Sequence, residues 1–390
     1  MMKLHSVNRV YTLLFILGIL VVCPGFGKDA EFPSQNRIVV VGDVHGDFNR
    51  MVEAFQLGKV VDKKGRWIGK KTHLVQLGDI PDRGPDSRKI VDYLMKLEKS
   101  AKRKGGRVHI LIGNHDAMNV YGDLRYVTEE EYTAFSDKQS VKRLELLYED
   151  EIKWIQENIP EENWPVFDDA YRKKWFDSRP PGFLEHRWSW LPDGRIGKWI
   201  LSHNAVIKIG EYLFVHAGIG PAYADCSVSE LNELVEQALQ NLDNVESSIL
   251  RSQEGPLWYR GLALEPEESQ RDLLDSLLEI HDVDHIIVGH TVTGGIILPR
   301  FDGKVILADV GLSSYYGDNM ACLVIENGNM KAIHRNGEVE LPESIETDEI
   351  LDYLVEVQSL EPGNQSIKNR ISKTKNESQV EESISVKNPY

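Results

Sequence analysis

Three short blocks place acids, imidazoles and amides just where apolar runs end: Gly42-Asp43-Val44-His45-Gly46-Asp47, Gly78-Asp79-Ile80-Pro81-Asp82-Arg83-Gly84 and Gly113-Asn114-His115-Asp116. Asp43 and His45 stand two apart, so in extended backbone their side chains share one direction. A carboxylate, imidazole and amide set of this kind is a nest for borderline divalent metals, and the chemistry such metals do is polarisation of substrate oxygens and activation of water. Any one block alone is equally served by turn or helix-cap duty, since Asp, Asn and Ser-like side chains bond local backbone readily. What makes the pattern specific is its order. Two later blocks, Phe214-Val215-His216-Ala217-Gly218 and Val288-Gly289-His290-Thr291, each add a histidine at the end of an apolar run, and Leu257-Trp258-Tyr259-Arg260-Gly261 adds a guanidinium. Seven further histidines, His73, His109, His186, His203, His281, His285 and His334, read as surface or satisfied core residues, the ordinary fate of an imidazole.

The elements that must position these groups follow from the apolar pattern. Residues 37–41, 73–77 and 108–112 are short β-rich runs bounded by glycine, and the stretches at about 47–57 and 86–104 between them have helical spacing, which makes βαβ units. In such sheets ligands gather at the carboxyl ends of the strands, where all three blocks fall. Strand-like runs resume at 199–201, 205–209 and 212–215, the last two joined by Gly210-Glu211 as a tight hairpin. A helix is expected near 229–242, and further strands at 285–288, 304–308 and 321–325, so the sheet is mixed. Between them, residues 128–199 carry six of the eight tryptophans and many charges, and read as an inserted helical cap or as an ordinary helical part of the core.

At 390 residues, with 41% hydrophobic and 27% charged positions, the chain suits one large α/β enzyme with a core that needs no staples. A formal net charge of -16 argues against nucleic acid as a partner, because binding it rests on Lys and Arg neutralising phosphates. Lys3, Arg9, an apolar run at 11–23 and Gly25-Phe26-Gly27 read as a signal peptide over 1–27, hence a secreted or periplasmic protein without stable membrane insertion after cleavage. The apolar run is shorter than the roughly 20 residues of a membrane span, which disfavours an uncleaved anchor. Bulky Val22 before Cys23 likewise disfavours lipidation. Cleavage would leave Cys226 and Cys322, free or paired. Residues 361–390 are polar with few aromatics and are expected to form a disordered tail.

In their order the blocks resemble the metallophosphoesterase signature GDxHG, GDxxDRG, GNH[ED], completed by the two histidine blocks, across roughly residues 37–335. The DRG form is similar to the phosphoprotein phosphatases, and residues 204–219 with the LWYRG run are most similar to their bacterial-type Shewanella-like branch. The resemblance implies a calcineurin-like α/β fold over 32–340: mixed β-sheets sandwiched by helices, with 128–199 inserted as the cap. It implies two divalent ions, Mn, Fe or Zn, with Asp43, His45 and Asp79 holding one and Asp79, Asn114, His216 and His290 the other. Shared Asp79 would set them about 3.5–4 Å apart, bridged by the attacking hydroxide. His115 would be the general acid, oriented by Asp82, while Arg83, Arg260 and Asn114 would bind the phosphate. Asp116 and Ala217 depart from the family's usual glutamate and glycine, which places the doubt on substrate preference rather than on the metals. Tyr315 and Tyr316 lie in a segment where the family has a loop over the site, and read as substrate contacts or as packed aromatics. The expected function is a metal-dependent phosphatase acting on a phosphorylated protein, with a leaning to phosphotyrosine. Hydrolysis of small phosphoesters or dinucleoside polyphosphates is the second reading, and a noncatalytic metal-binding interaction module the third.

Overall fold

The structure, a computed structural model, describes residues 28–342 and 347–387. Two six-stranded mixed sheets carry the site between them. In the first, β2 (Arg37–Val41), β3 (His73–Gln76) and β4 (Arg107–Ile110) run parallel, connected by α1 (Phe48–Leu57) and α2 (Ser87–Arg103). Buried almost along their whole length, these strands need both faces apolar, which is why they read as continuous β-branched runs. α1 starts where the Asp47 side chain accepts the Arg50 N–H, and α2 turns Ile90, Val91, Leu94, Leu97 and Ala101 onto the core. Three antiparallel strands, β10 (Ala321–Glu326), β11 (Asn329–His334) and β12 (Gly337–Glu340), extend this sheet beyond β2.

The second sheet has the order β1 (Glu31–Phe32), β5 (Val206–Ile209), β6 (Tyr212–Val215), β7 (His285–Val288), β9 (Val305–Leu307), β8 (Leu298–Arg300). β5 and β6 form the expected hairpin, with Gly210 at a φ of 58° in its turn. Registers align the strand ends. Val41 lies opposite Gln76 and Gln76 opposite Ile110 in one sheet, and Val215 opposite Val288 and Val288 opposite Leu307 in the other. The five strand-end blocks therefore leave at two facing rims, above one hydrophobic core shared by both sheets, and residues 257–261 lead into a short helix instead. The rims approach so closely that a Cβ on Gly42 would stand 2.6 Å from the Ala308 carbonyl oxygen, so no larger residue fits.

After α3 (Asn114–Tyr121), residues 128–199 form α4 (Glu129–Phe135), α5 (Ser140–Asn158), α6 (Asp169–Asp177), α7 (Phe183–Trp190) and α8 (Arg195–Ile200). Tyr132, Leu144, Tyr148, Trp175, Phe183 and Leu184 make a small core of their own. Phe135, Trp190, Ile196, Trp199 and Ile200 instead join the main core, so the segment is stitched to the body along one side. The strand expected at 199–201 is instead the end of α8. Ile196, Trp199 and Ile200 are buried at helical spacing, and a three-residue apolar run carries no period by which strand and helix differ.

α9 (Val228–Gln240) opens with a Ser227–Glu230 capping box and is followed by α10 (Gly261–Leu264) and α11 (Glu267–His281). Helices α12 (Thr347–Leu360) and α13 (Gln365–Lys387) close the described chain. The region expected to be a polar tail from 361 thus contains helix, and fully buried Ile367 fastens its first turn to the core. Cys322 is buried on β10 and Cys226 is half-buried before α9, both as free thiols. Residues 1–27, read as a signal, lie outside the described residues. Among those described, no helix is long and apolar enough to cross a membrane.

Candidate active site

The loops at the two rims are held in left-handed backbone. His45, Asp79, Asp82, Arg83 and His290 have φ values of 45°, 54°, 72°, 67° and 62°. Such conformations cost about 1–3 kcal/mol each in non-glycine residues and persist only when their surroundings over-determine them. Here the surroundings are explicit. The Val44 and His45 N–H groups donate to the Asp79 carbonyl at 3.1 and 3.0 Å, and Gly46 N–H donates to the Ile80 carbonyl at 2.8 Å. The Asp116 carboxyl accepts from the Asp79 and Gly113 N–H groups, both at 2.9 Å, and from Ile80 N–H at 3.4 Å. Asp116 is fully buried and stitches the second block to the third. Ala217 is buried as well, with its N–H on the Pro256 carbonyl.

Donor atoms converge on Asp79. Asp43, Asp79, His216 and His290 bring one ligand atom each within 4.8 Å of one another, and His45, Asp79 and His115 do the same. Nε2 of His45 lies 3.8 Å from Asp43 Oδ2 and 3.7 Å from Asp79 Oδ2, so Asp43 stands between the groups rather than with His45 alone. Asn114 Oδ1 is 3.0 Å from His216 Nε2. The other imidazole nitrogens are engaged elsewhere: His216 Nδ1 at 2.7 Å from the Leu77 carbonyl, His45 Nδ1 at 3.3 Å from that of Pro81. These contacts fix which nitrogen faces the site. All six expected ligand residues are together and buried.

The third strand-end block supplies a second device. His115 Nδ1 meets Asp82 Oδ2 at 2.5 Å, Asn119 Nδ2 donates to Asp82 Oδ1 at 3.0 Å, and His115 Nε2 lies 4.0 Å from Asp79 Oδ2. Burial works against protonating His115, but the Asp79 carboxylate and the Asp82 hydrogen bond outweigh it and raise the imidazole above its ordinary value. Arg83 lies between two rings, its guanidinium carbon 3.8 Å from the Tyr126 centroid and 4.8 Å from that of Tyr315, and it donates to the Tyr315 hydroxyl at 3.2 Å. The half-buried Tyr316 ring stands 5.0 Å from His45. Arg260 donates to Thr291 Oγ1 at 3.2 Å, and its charge is felt at Asp43 and His290.

Charge in the pocket is arranged for a cation. Burial, then Asp309 and Asp79, drives the Asp43 carboxyl well above its usual range, and burial foremost brings Asp309 to about 7. Burial also pushes His45 down to about 3 and lowers His216 and His290. Crowded carboxyls, unprotonated imidazoles and a buried His290 Nε2 with no hydrogen-bond partner fit a divalent ion. Sequence reading missed Asp309, although it too follows an apolar run at a strand end. Tyr126, in a loop with no pattern, gave no such signal.

Residues 36–294 match the model of the calcineurin-like phosphoesterases. The chain is similar to Shewanella-like protein phosphatase 2 of Arabidopsis thaliana, at 30% identity across 74% of this chain and 75% of the relative. It is also similar to an uncharacterized Schizosaccharomyces pombe protein, at 29% identity across 86% and 92%. Among solved structures it resembles the cold-active protein-tyrosine phosphatase of a psychrophilic Shewanella, with a TM-score of 0.59 and 26% identity across 80% of this chain and 82% of that one.

Proposed function

We propose, on the premise that this chain belongs to the calcineurin-like phosphoesterases and among them to the Shewanella-like protein phosphatases, that it dephosphorylates proteins with a preference for phosphotyrosine. It is a metal-dependent phosphatase. The observation that carries the rest is the sharing of Asp79 by both donor groups, with the His115–Asp82 pair beside it. Asp43, His45, Asp79, Asn114, His216 and His290 would hold two divalent ions, Mn, Fe or Zn. Bound there, the ions supply activated water and polarise the phosphoryl oxygens.

Arg83 and Arg260 would bind the phosphate and offset the charge that spreads over its oxygens in the transition state. His115 keeps its proton on Nε2 for the departing oxygen, because Asp82 holds Nδ1 and favours the cationic ring. The tyrosine rings flanking Arg83 support an aryl phosphate, since they offer flat apolar surface beside the phosphate site. Export rests on residues 1–27, and a secreted chain should begin at Lys28.

The test is kinetic. Chelator-stripped protein should be inactive on para-nitrophenyl phosphate and regain turnover with manganese; folded, metal-loaded protein without turnover sinks the catalytic reading. Phosphotyrosine peptides, phosphothreonine peptides and diadenosine tetraphosphate should then rank in that order of kcat/KM. Preference for the dinucleotide would overturn the protein-phosphatase reading and leave the site intact.

A further inference from the structure

Asp47, the acid that ends the first strand-end block, belongs to neither donor group. It needs one carboxylate oxygen to cap α1, where Oδ1 accepts the Arg50 N–H at 3.1 Å. The second oxygen has another partner: Oδ2 accepts from Ser314 twice, from the backbone N–H at 3.1 Å and from the hydroxyl at 2.8 Å. Ser314 opens a one-turn 3-10 helix, Ser314–Tyr316, on the loop that leaves β9 at the opposite rim. The far end of that loop is held by the same helix, since Arg50 Nη2 donates to Asp318 Oδ2 at 2.7 Å. Tyr315 rides on the tethered loop; its hydroxyl accepts from Arg83 Nη1 at 3.2 Å and its ring lies against the guanidinium. Asp47 and Arg83 also share a platform. The Asp86 N–H donates to the Gly46 carbonyl at 2.9 Å, and a Cβ on Gly46 would stand 2.4 Å from the Gly84 carbonyl oxygen.

We propose that Asp47 is a positioning residue for phosphate binding: by holding Ser314 across the two rims, it sets Tyr315 against Arg83 and so fixes the guanidinium that takes the substrate phosphate. The inference rests on the reading of Arg83 as a phosphate-binding residue. Arg83 makes no ion pair among the described residues; its long side chain rests on the Tyr126 and Tyr315 rings and on the Tyr315 hydroxyl. A guanidinium left free loses rotamer freedom when phosphate orders it, and neighbours that order it beforehand remove that cost from binding. Tyr315 is 59% exposed, so its place depends on the anchors of its loop rather than on packing. A helix cap alone is served by serine as well as by aspartate, whereas the tether uses the oxygen that only the carboxylate adds.

Asp47→Ser separates the two duties, because a serine hydroxyl caps α1 and has no second oxygen for Ser314. The measurement is the Kd of inorganic phosphate for the manganese-loaded protein by titration calorimetry. Arg83→Ala should weaken binding at least about 10-fold, the scale of a lost charge-assisted contact. Asp47→Ser should weaken it about 3–10-fold, and the double variant should bind no more weakly than Arg83→Ala alone, since groups that act through one another are not additive. A merely structural role would multiply the two losses. That result, or wild-type affinity in Asp47→Ser, overturns the inference alone. Full affinity in Arg83→Ala removes the phosphate reading of Arg83 and the inference with it. Should Asp47→Ser fail to fold or to hold manganese, Ser314→Pro carries the same test against Arg83→Ala. Proline fits the first position of the 3-10 turn, after Ser313 in extended backbone at a φ of -67° and a ψ of 153°, and it removes both donors while Asp47 still caps α1. The same loss and the same non-additivity are expected there, and their absence overturns the proposal.

Discussion

At the scale of single residues, the site separates groups that hold metals from groups that handle protons, and Asp82 belongs to the second kind. Its carboxylate is shared between His115 Nδ1 and Asn119 Nδ2 and lies outside both donor groups. Asp82→Asn should therefore lower kcat on phosphotyrosine about 10²–10³-fold, the usual worth of a placed general acid, with bound metal unchanged on elemental analysis. Unaltered turnover, or metal loss, would show that Asp82 has another role. Asp116 illustrates a different duty. It sits one residue from His115 yet acts by accepting three backbone N–H groups, and a buried N–H left unpaired costs about 1–3 kcal/mol. Burial and the Asp79 charge raise it to about 8.

Elements meet where β1, β3 and β4 come together, and there the fold depends on neutral histidines. His109 Nε2 and His73 Nδ1 are 3.0 Å apart on neighbouring strands, with Phe32 of β1 edge-on to both, and His203 packs nearby against Trp199. Burial, then the Lys28 charge, pushes His203 down to about 3; burial, then Arg107, pushes His73 to about 4. Below an unfolded value of about 6.5, the unfolded chain takes up protons that the folded chain refuses. The stability these residues confer is thus complete above that pH and is lost as pH falls toward 4. At pH 5 the loss from His203 alone is at most about 2 kcal/mol. Denaturant unfolding at pH 7.5 and 5.0 should show a shallower pH dependence for His203→Gln than for wild type, and parallel dependences would refute the assignment.

Across the whole molecule, the C-terminal helices bind the site loops to the body. Tyr353, Leu354, Val357 and Ile367 are buried, the Tyr353 hydroxyl donates to the Ile297 carbonyl at 2.6 Å, and Asn364 Nδ2 donates to the Gly294 carbonyl and to Asn319 Oδ1, both at 2.9 Å. Fully burying one such side chain is worth roughly 1.5–3 kcal/mol, so four approach a typical total of about 5–15 kcal/mol. A chain ending at Pro342 should accordingly be insoluble or melt at least about 10 °C lower, and an unchanged melting temperature would rule out this anchoring. The helix beyond 361, with its anchor Ile367, was not legible in the polar composition there, because a helix held by a few apolar residues is mostly polar by count. The blocks of ligand-type residues were legible, because each is local: a strand end, a glycine and two or three side chains in fixed order. The sequence by itself determined the kind of chemistry and the hairpin and βαβ units that deliver it. Only the tertiary structure decided that Asp309 adds a further carboxyl and that Asp116 braces backbone. Those relations depend on two sheet rims meeting within a few ångströms, from positions as far apart as Asp43 and His290. Chain spacing carries no record of such an approach; the packing of the shared core sets it.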